Sequence, residues 1–273
     1  MLRITAVLFS ALSFIALQSA LLPSHLQAST ETSQPTTSVI TGSDSPITFC
    51  GDKAGWPPYT YEDGNTLKGY DLDVLARIFE PTGQAYKVQM LPWRRCLEMV
   101  KEGQVDVALS ASGNEERAIT YRMSIPYYYV TPSYIYLKSR FPEGLDVPPS
   151  EITKNYKVCG LRGYSYHSFG LLPEKVETTS RTFNQLFHKT AAGRCDLLLG
   201  RYEVLLGFAL TGTPLLTDIW QHTPVPGIEP DDFRMLVSRA TNNSLELHKL
   251  LNKRITEMRD SGELDRLLKP YLK

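Results

Sequence analysis

Hydrophobic and polar positions alternate along this chain in two rounds of strand and helix. In the first, ITFC (Ile47 to Cys50) reads as a short strand, followed by an aromatic and proline loop, Gly51 to Tyr61. Leu72, Leu75, Ile78 and Phe79 fall on one face of a helix over 71–80, for which Asp71 is the natural N-cap. Val88 to Leu91 is a second strand. Pro92 opens a helix over 93–102 that Gly103 ends. The near-continuous apolar run of Val105, Val107, Ala108 and Leu109 has the pattern of a parallel strand buried on both faces. Ser110 to Gly113 then reads as a small-residue loop, and Asn114 as the cap of a helix whose third residue is Arg117. Strand, helix, strand, helix, strand predicts a parallel sheet with covering helices.

The second round is similar. Ser133 to Leu137 and Tyr156 to Leu161 read as strands, 181–192 as an amphipathic helix stopped by Gly193, Asp196 to Leu199 as a buried strand, and 202–210 as a helix. After a turn containing Pro224, Pro226 and Pro230, Phe233 to Arg239 is a strand. Helices over 244–259, capped by Asn243, and over 263–272 close the chain. Two such units predict an α/β fold of two lobes with a cleft at the carboxyl ends of their strands. The expected first lobe is 47–136 with the returning 232–273, and the second is 137–231.

Composition adds a compartment. Arg3, the apolar run from Ile4 to Leu22 and the small-residue exit at Ala28 read as a cleavable secretory signal over residues 1–28, with an uncleaved membrane anchor as the alternative for a run of near-spanning length, so the mature chain is expected to be periplasmic. Residues 29–46, rich in Ser and Thr, read as a flexible leader. Four cysteines in an exported chain favour disulfides over metal ligation, since no CxxC occurs. Pairing Cys50 with Cys96 and Cys159 with Cys195 is preferred because each bridge then stays within one half of the chain. Twenty-nine basic and twenty-nine acidic residues leave no net charge, which argues against a nucleic-acid partner.

A guanidinium beside helix N–H groups at the carboxyl edge of a parallel sheet can grip a carboxylate through two parallel hydrogen bonds. On this stretch alone, a surface arginine paired with Glu115 or Glu116 explains Arg117 equally well. Enzyme signatures such as GxSxG, GxGxxG, the P-loop and HExxH are missing from the sequence. His167, His188, His222 and His248 share no metal-ligand spacing, so neither cofactor nor metal is expected.

Four stretches together resemble one known family. They are PPYTY with LKGYDLDVLARI between Pro57 and Ile78; EGQVDVALSASGNEER, Glu102 to Arg117, with PYYY at Pro126 to Tyr129; VCGLRGYSY at Val158 to Tyr166; and the tail from Phe233. Their order is similar to that of extracellular solute-binding proteins of the polar amino-acid type (family 3), which have the type II periplasmic binding fold and serve ABC importers. The resemblance implies a monomer that closes on a small carboxylate-bearing ligand and meets a membrane permease. It also implies roles by position: Trp56 stacks on the ligand and Trp93 touches it from the opposite wall. Ser110, Ser112 and Arg117 hold its carboxylate, and Gly163 and Ser165 close from the second lobe.

Arg201 departs from the pattern. The family places an aspartate there to hold the ligand's ammonium, and an arginine, with donors only, would repel it. The resemblance leaves three readings: a ligand without an α-amino group such as a di-acid, a replacement acid such as Asp52 or Glu203, or an Arg201 turned away. Arg94 and Arg95 are either surface charges or additions to an anionic cleft. Some relatives of these binders are cyclohexadienyl dehydratases, for which Glu203, Asp52 or Glu116 could move a proton. A ligand-loaded partner of a membrane receptor is the third functional class.

Overall fold

The computed structural model describes residues 45–272, so the expected signal peptide and the leader through Asp44 lie outside the described residues. The first half of the described chain carries β1 (Ile47–Asp52), the hairpin β2 (Tyr61–Asp63) and β3 (Thr66–Lys68), and α1 (Tyr70–Phe79). It continues through β4 (Tyr86–Leu91), α2 (Trp93–Lys101), β5 (Val107–Ser112), α3 (Glu115–Thr120) and the short strands β6 (Arg122–Met123) and β7 (Tyr128–Val130). β1 lies between β4 and β5, parallel to both. Successive side chains of β1 point to opposite faces: Phe49 packs in the cluster of α1 residues Val74, Leu75 and Ile78, and Cys50 in the cluster of α2 residues Cys96 and Val100. This two-sided burial is why the central strands read as unbroken apolar runs. A Cys50–Cys96 disulfide ties β1 to α2.

The chain passes to the second sheet at Thr131, ahead of the expected lobe boundary at Tyr136. Here β8 (Pro132–Leu137), α4 (Pro149–Asn155), β9 (Val158–Leu161), β10 (Glu177–Ser180), α5 (Phe183–Ala191), β11 (Leu197–Arg201), α6 (Tyr202–Gly207) and β12 (Trp220–Pro224) follow in turn. The strand order is β10-β9-β11-β8-β12, with β9 parallel to β10 and β11, and β8 antiparallel to β11 and β12. The second disulfide joins Cys159 on β9 to Cys195, just before β11. β13 (Asp231–Val237) returns to the first sheet and runs antiparallel to β5, and α7 (Ser244–Asp260) and α8 (Glu263–Leu268) close the chain.

Several local expectations give way. Asp71 does not cap α1: Gly69 is the N-cap, and the carbonyls of Pro58 and Tyr59 accept the N–H groups of Tyr70 and Asp71 at 3.1 and 2.9 Å. With the helix start satisfied by the preceding loop, Asp71 turns into the core. Gly69 is required there, with φ 124° and no room for a Cβ, which would fall 2.2 Å from the Tyr59 carbonyl oxygen. Ser110 to Ser112 is strand rather than loop, because β13 pairs Phe233 with Ser112 and Arg234 with Ala111. The register shifts between Arg234 and Leu236, and Ser110 takes φ 54° opposite that irregularity. Asn243 precedes α7 without a side-chain capping bond. The helix over 202–210 is α-helical only to Gly207, then a 3₁₀ turn over Phe208–Thr211. β10 and β12 are edge strands, so their polar residues and Pro224 hide them from a search for buried apolar runs.

Candidate functional site

The carboxyl ends of β1, β5 and β11 meet at one cavity, which leaves about 30 Å³ for the centres of water-sized molecules. Trp56, Trp93, Ser110, Ser112, Arg117, Ser165 and Arg201 line it, and Gly163 does not. Gly163 is an exposed glycine at φ 83° in the turn that carries Tyr164 and Ser165 to the wall.

Arg117 is set by its helix. Asn114 Oδ1 accepts the Arg117 backbone N–H at 2.8 Å, which starts α3 beside the end of β5 and turns the guanidinium inward, only 7% exposed. Its Nη1 donates to the Ser112 carbonyl at 2.7 Å and to Ser112 Oγ at 2.8 Å, and the group lies 5.7 Å from the Trp93 ring centre. Among the described residues no carboxylate is within ion-pair distance of it, so the surface pairing with Glu115 or Glu116 does not form. Burial first, and then repulsion from Arg201, bring its pKa down to about 10, which leaves it charged at neutral pH.

Ser110 is held differently. Its hydroxyl donates to Asp71 Oδ2 at 2.6 Å, and Thr60 and Tyr127 also donate to Asp71, so that hydroxyl proton is committed to a buried carboxyl. Tyr128 donates to Ser110 Oγ at 2.7 Å and accepts from Trp56 Nε1 at 2.9 Å. This relay fixes the Trp56 ring, which stacks near Phe233 with centroids 5.2 Å apart.

The second lobe contributes Arg201 at the end of β11, 4% exposed. Its Nη2 donates to Asp231 Oδ2 at 2.7 Å, to Ser168 Oγ at 3.1 Å and to the Ser165 carbonyl at 3.4 Å, whereas its buried Nε has no acceptor. The guanidinium centre is 4.6 Å from the Phe169 ring and 6.0 Å from the Trp56 ring. The reading in which Arg201 turns away is thereby corrected: it faces the cavity.

Of the two candidate replacement acids, Glu203 accepts from the Thr131 N–H at 2.8 Å and the Thr131 hydroxyl at 2.6 Å, and it is not part of the cavity wall. Asp52 is in the wall. Tyr164, from the second lobe, donates to Asp52 Oδ2 at 2.5 Å, and the Ala54 N–H donates to Oδ1 at 3.0 Å. Burial raises the Asp52 pKa against the opposing effect of these bonds. Arg94 and Arg95 are exposed on α2, Arg94 lying 3.9 Å from Glu98, so neither adds to the cleft. His167 and Glu116 are exposed and outside the wall.

The profile of bacterial extracellular solute-binding proteins, family 3, matches residues 48–273. This chain belongs to that family. Among similar proteins, the arginine-binding extracellular protein ArtP of Bacillus subtilis (strain 168) is 24% identical to this solute-binding protein over 227 residues, 81% of this chain and 84% of that one. An ancestral arginine-binding protein solved with arginine superposes with a TM-score of 0.68 at 18% identity, covering 84% of this chain and 98% of the other. The substrate-binding protein of a Streptococcus pneumoniae ABC uptake transporter, solved with histidine, gives 0.67 at 18% identity, covering 83% and 92%. The two-lobed periplasmic binding fold of this solute-binding protein is shared with these structures.

Sequence reasoning did not single out Tyr164 as a link between lobes, Asp231 as the partner of Arg201, or Asp71 as the anchor of Ser110. Each acts across a contact between distant segments: 112 residues separate Asp52 from Tyr164, and 30 separate Arg201 from Asp231. The run of three tyrosines in PYYY, of which Tyr127 and Tyr128 enter the relay, was the one local signal available for it.

Proposed function

We propose that this protein is exported to the periplasm, captures a small carboxylate-bearing solute by hinge closure and delivers it to the permease of an ABC importer. One observation carries the reading: Arg117 is buried in the cavity wall with no acidic partner among the described residues, beside the Ser112 hydroxyl. A buried cation of this kind is costly unless an anion joins it, and a planar carboxylate fits the free side of the fork. Trp56 and Trp93 supply apolar walls. Ser165 and Arg201 stand on the other lobe, so a ligand touching both favours the closed form by its difference in contacts between open and closed states. The amino acids named for ArtP and the two solved relatives support an amino acid or related organic acid as the ligand class.

The test is a thermal-shift screen of the mature protein against amino acids, dicarboxylates, polyamines and prephenate. A ligand at 100 times its Kd adds about 2.7 kcal/mol, a shift of several degrees. A carboxylate hit that depends on Arg117 is the expected result. Turnover of prephenate to phenylpyruvate would instead assign a dehydratase.

A further inference from the structure

Two guanidinium groups from opposite lobes, Arg117 and Arg201, line the same cavity. We propose that Arg201 reads a second anionic group, so that the ligand is a solute with two carboxylates; this rests on the proposed capture of a first carboxylate by Arg117.

The environment of Arg201 leaves donors to be filled. Asp231, Ser168 and the Ser165 carbonyl all take their bonds from a single nitrogen, Nη2, and the buried Nε has no acceptor. Asp231 does not line the cavity, whereas Arg201 does. The Phe169, Phe233 and Trp56 rings flank the guanidinium at 4.6, 5.6 and 6.0 Å and restrict how its plane can turn. Arg117, unlike Arg201, has no acidic partner among the described residues, and the two cations are near enough that Arg201 destabilises the charged form of Arg117, which Asp231 offsets only in part.

The one acid in the wall does not change the balance. Both oxygens of Asp52 already accept, from Tyr164 and from the Ala54 N–H, and burial favours its uncharged form. A ligand with one carboxylate fills one fork and leaves the other facing whatever side chain it carries. A cationic side chain there meets a fixed positive charge, and a neutral amide offers a weaker acceptor than a carboxylate. Two carboxylates satisfy both forks and remove the repulsion across the cleft. Plain dicarboxylic acids and acidic amino acids share this chemistry. They differ in the ammonium, for which the wall has only the Asp52 carboxyl.

The experiment is calorimetric titration of the mature exported protein, stripped of carried solute, with succinate, glutarate, L-aspartate, L-glutamate, L-asparagine, L-glutamine and L-arginine. At least one diacid should bind about tenfold or more tightly than the matching amide and than L-arginine. Tight glutarate or succinate identifies a plain diacid, and tight aspartate or glutamate an acidic amino acid. Arg201→Gln should bring the diacid-to-amide ratio close to one, and Arg201→Lys should keep part of it. The wild-type ratio serves as evidence even where a variant does not fold. Amide or arginine binding as tight as any diacid overturns the inference and leaves single-carboxylate capture standing. If no diacid binds, the inference falls whatever other solute is found. If no carboxylate of any kind binds, the proposed function falls with it.

Discussion

The Ser110 hydroxyl donates to Asp71 Oδ2 across 2.6 Å, joining the end of β5 to a fully buried residue in the first turn of α1. Ser110 also carries the positive φ of 54° at the register shift of β5, so a non-glycine residue is kept in a disfavoured conformation by bonds to Asp71, Tyr127 and Tyr128. Ser110→Ala keeps the backbone requirement and removes the acceptor for Tyr128. It is expected to cost about 1–3 kcal/mol. Asp71→Ala, which strands three hydroxyl donors, should cost more than Ser110→Ala. Urea unfolding of both variants checks the order, and an Asp71→Ala protein as stable as wild type would remove the network from the account.

Arg117 should show a split between binding and stability. Arg117→Gln is expected to weaken solute binding by more than about tenfold, in line with roughly 2–5 kcal/mol for a lost buried charge partner. The ligand-free protein should lose little, because the change also removes a buried cation that has no acidic partner among the described residues. Titration and urea unfolding on the same preparation separate the two effects. A large loss of ligand-free stability with unaltered affinity would make Arg117 a structural residue.

Gly207 lies against the aromatic loop of the other lobe. A Cβ there would fall 2.5 Å from the carbonyl carbon of Pro57, backbone that cannot yield as a flexible side chain would. Gly207→Ala should therefore push α6 off that loop, at about 1–3 kcal/mol for overpacking, and weaken any solute that needs both lobes. Small-angle scattering should report a more open form. An unchanged scattering profile with full affinity would show that the contact does not govern closure.

Two carboxyls should give opposite pH signatures. Burial raises Asp52 above 3.8, so as pH rises the unfolded chain loses this proton first and stability falls across the interval up to the folded value. The advantage of Asp52→Asn over wild type should grow from about pH 3.8 and then level off. For Glu177, burial alone would raise the pKa, but bonds from Lys189 and Thr179 outweigh it and bring it from 4.5 to about 2. Its contribution is complete above pH 4.5 and lost as pH falls toward 2, so Glu177→Gln should approach wild type only in that acid range. Unfolding curves between pH 2 and 7 test both signs.

Much of this was legible along the chain. The apolar run before Ser110 marks β5, and the Asn114 to Arg117 spacing marks a capped helix with its guanidinium at a strand end. The even division of cysteines between the two halves suggested the two bridges that form. Such signals survive in one dimension because burial periodicity and helix capping depend on residues a few positions apart.

What the sequence by itself determined is therefore the order of the buried strands and the main helices, the two α/β units and the placing of Arg117 at the edge of a sheet, but not the polar edge strands β10 and β12. The tertiary structure alone decided what those residues face. Asp71 turned from a cap into a buried anchor because loop carbonyls already served the helix start. Glu203 was drawn to Thr131 and away from the cavity. Arg201 was brought opposite Arg117, with Asp231 engaging a single nitrogen. These outcomes depend on charge, hydrogen bonding and volume between segments tens of residues apart, and no local pattern encodes which distant group will arrive.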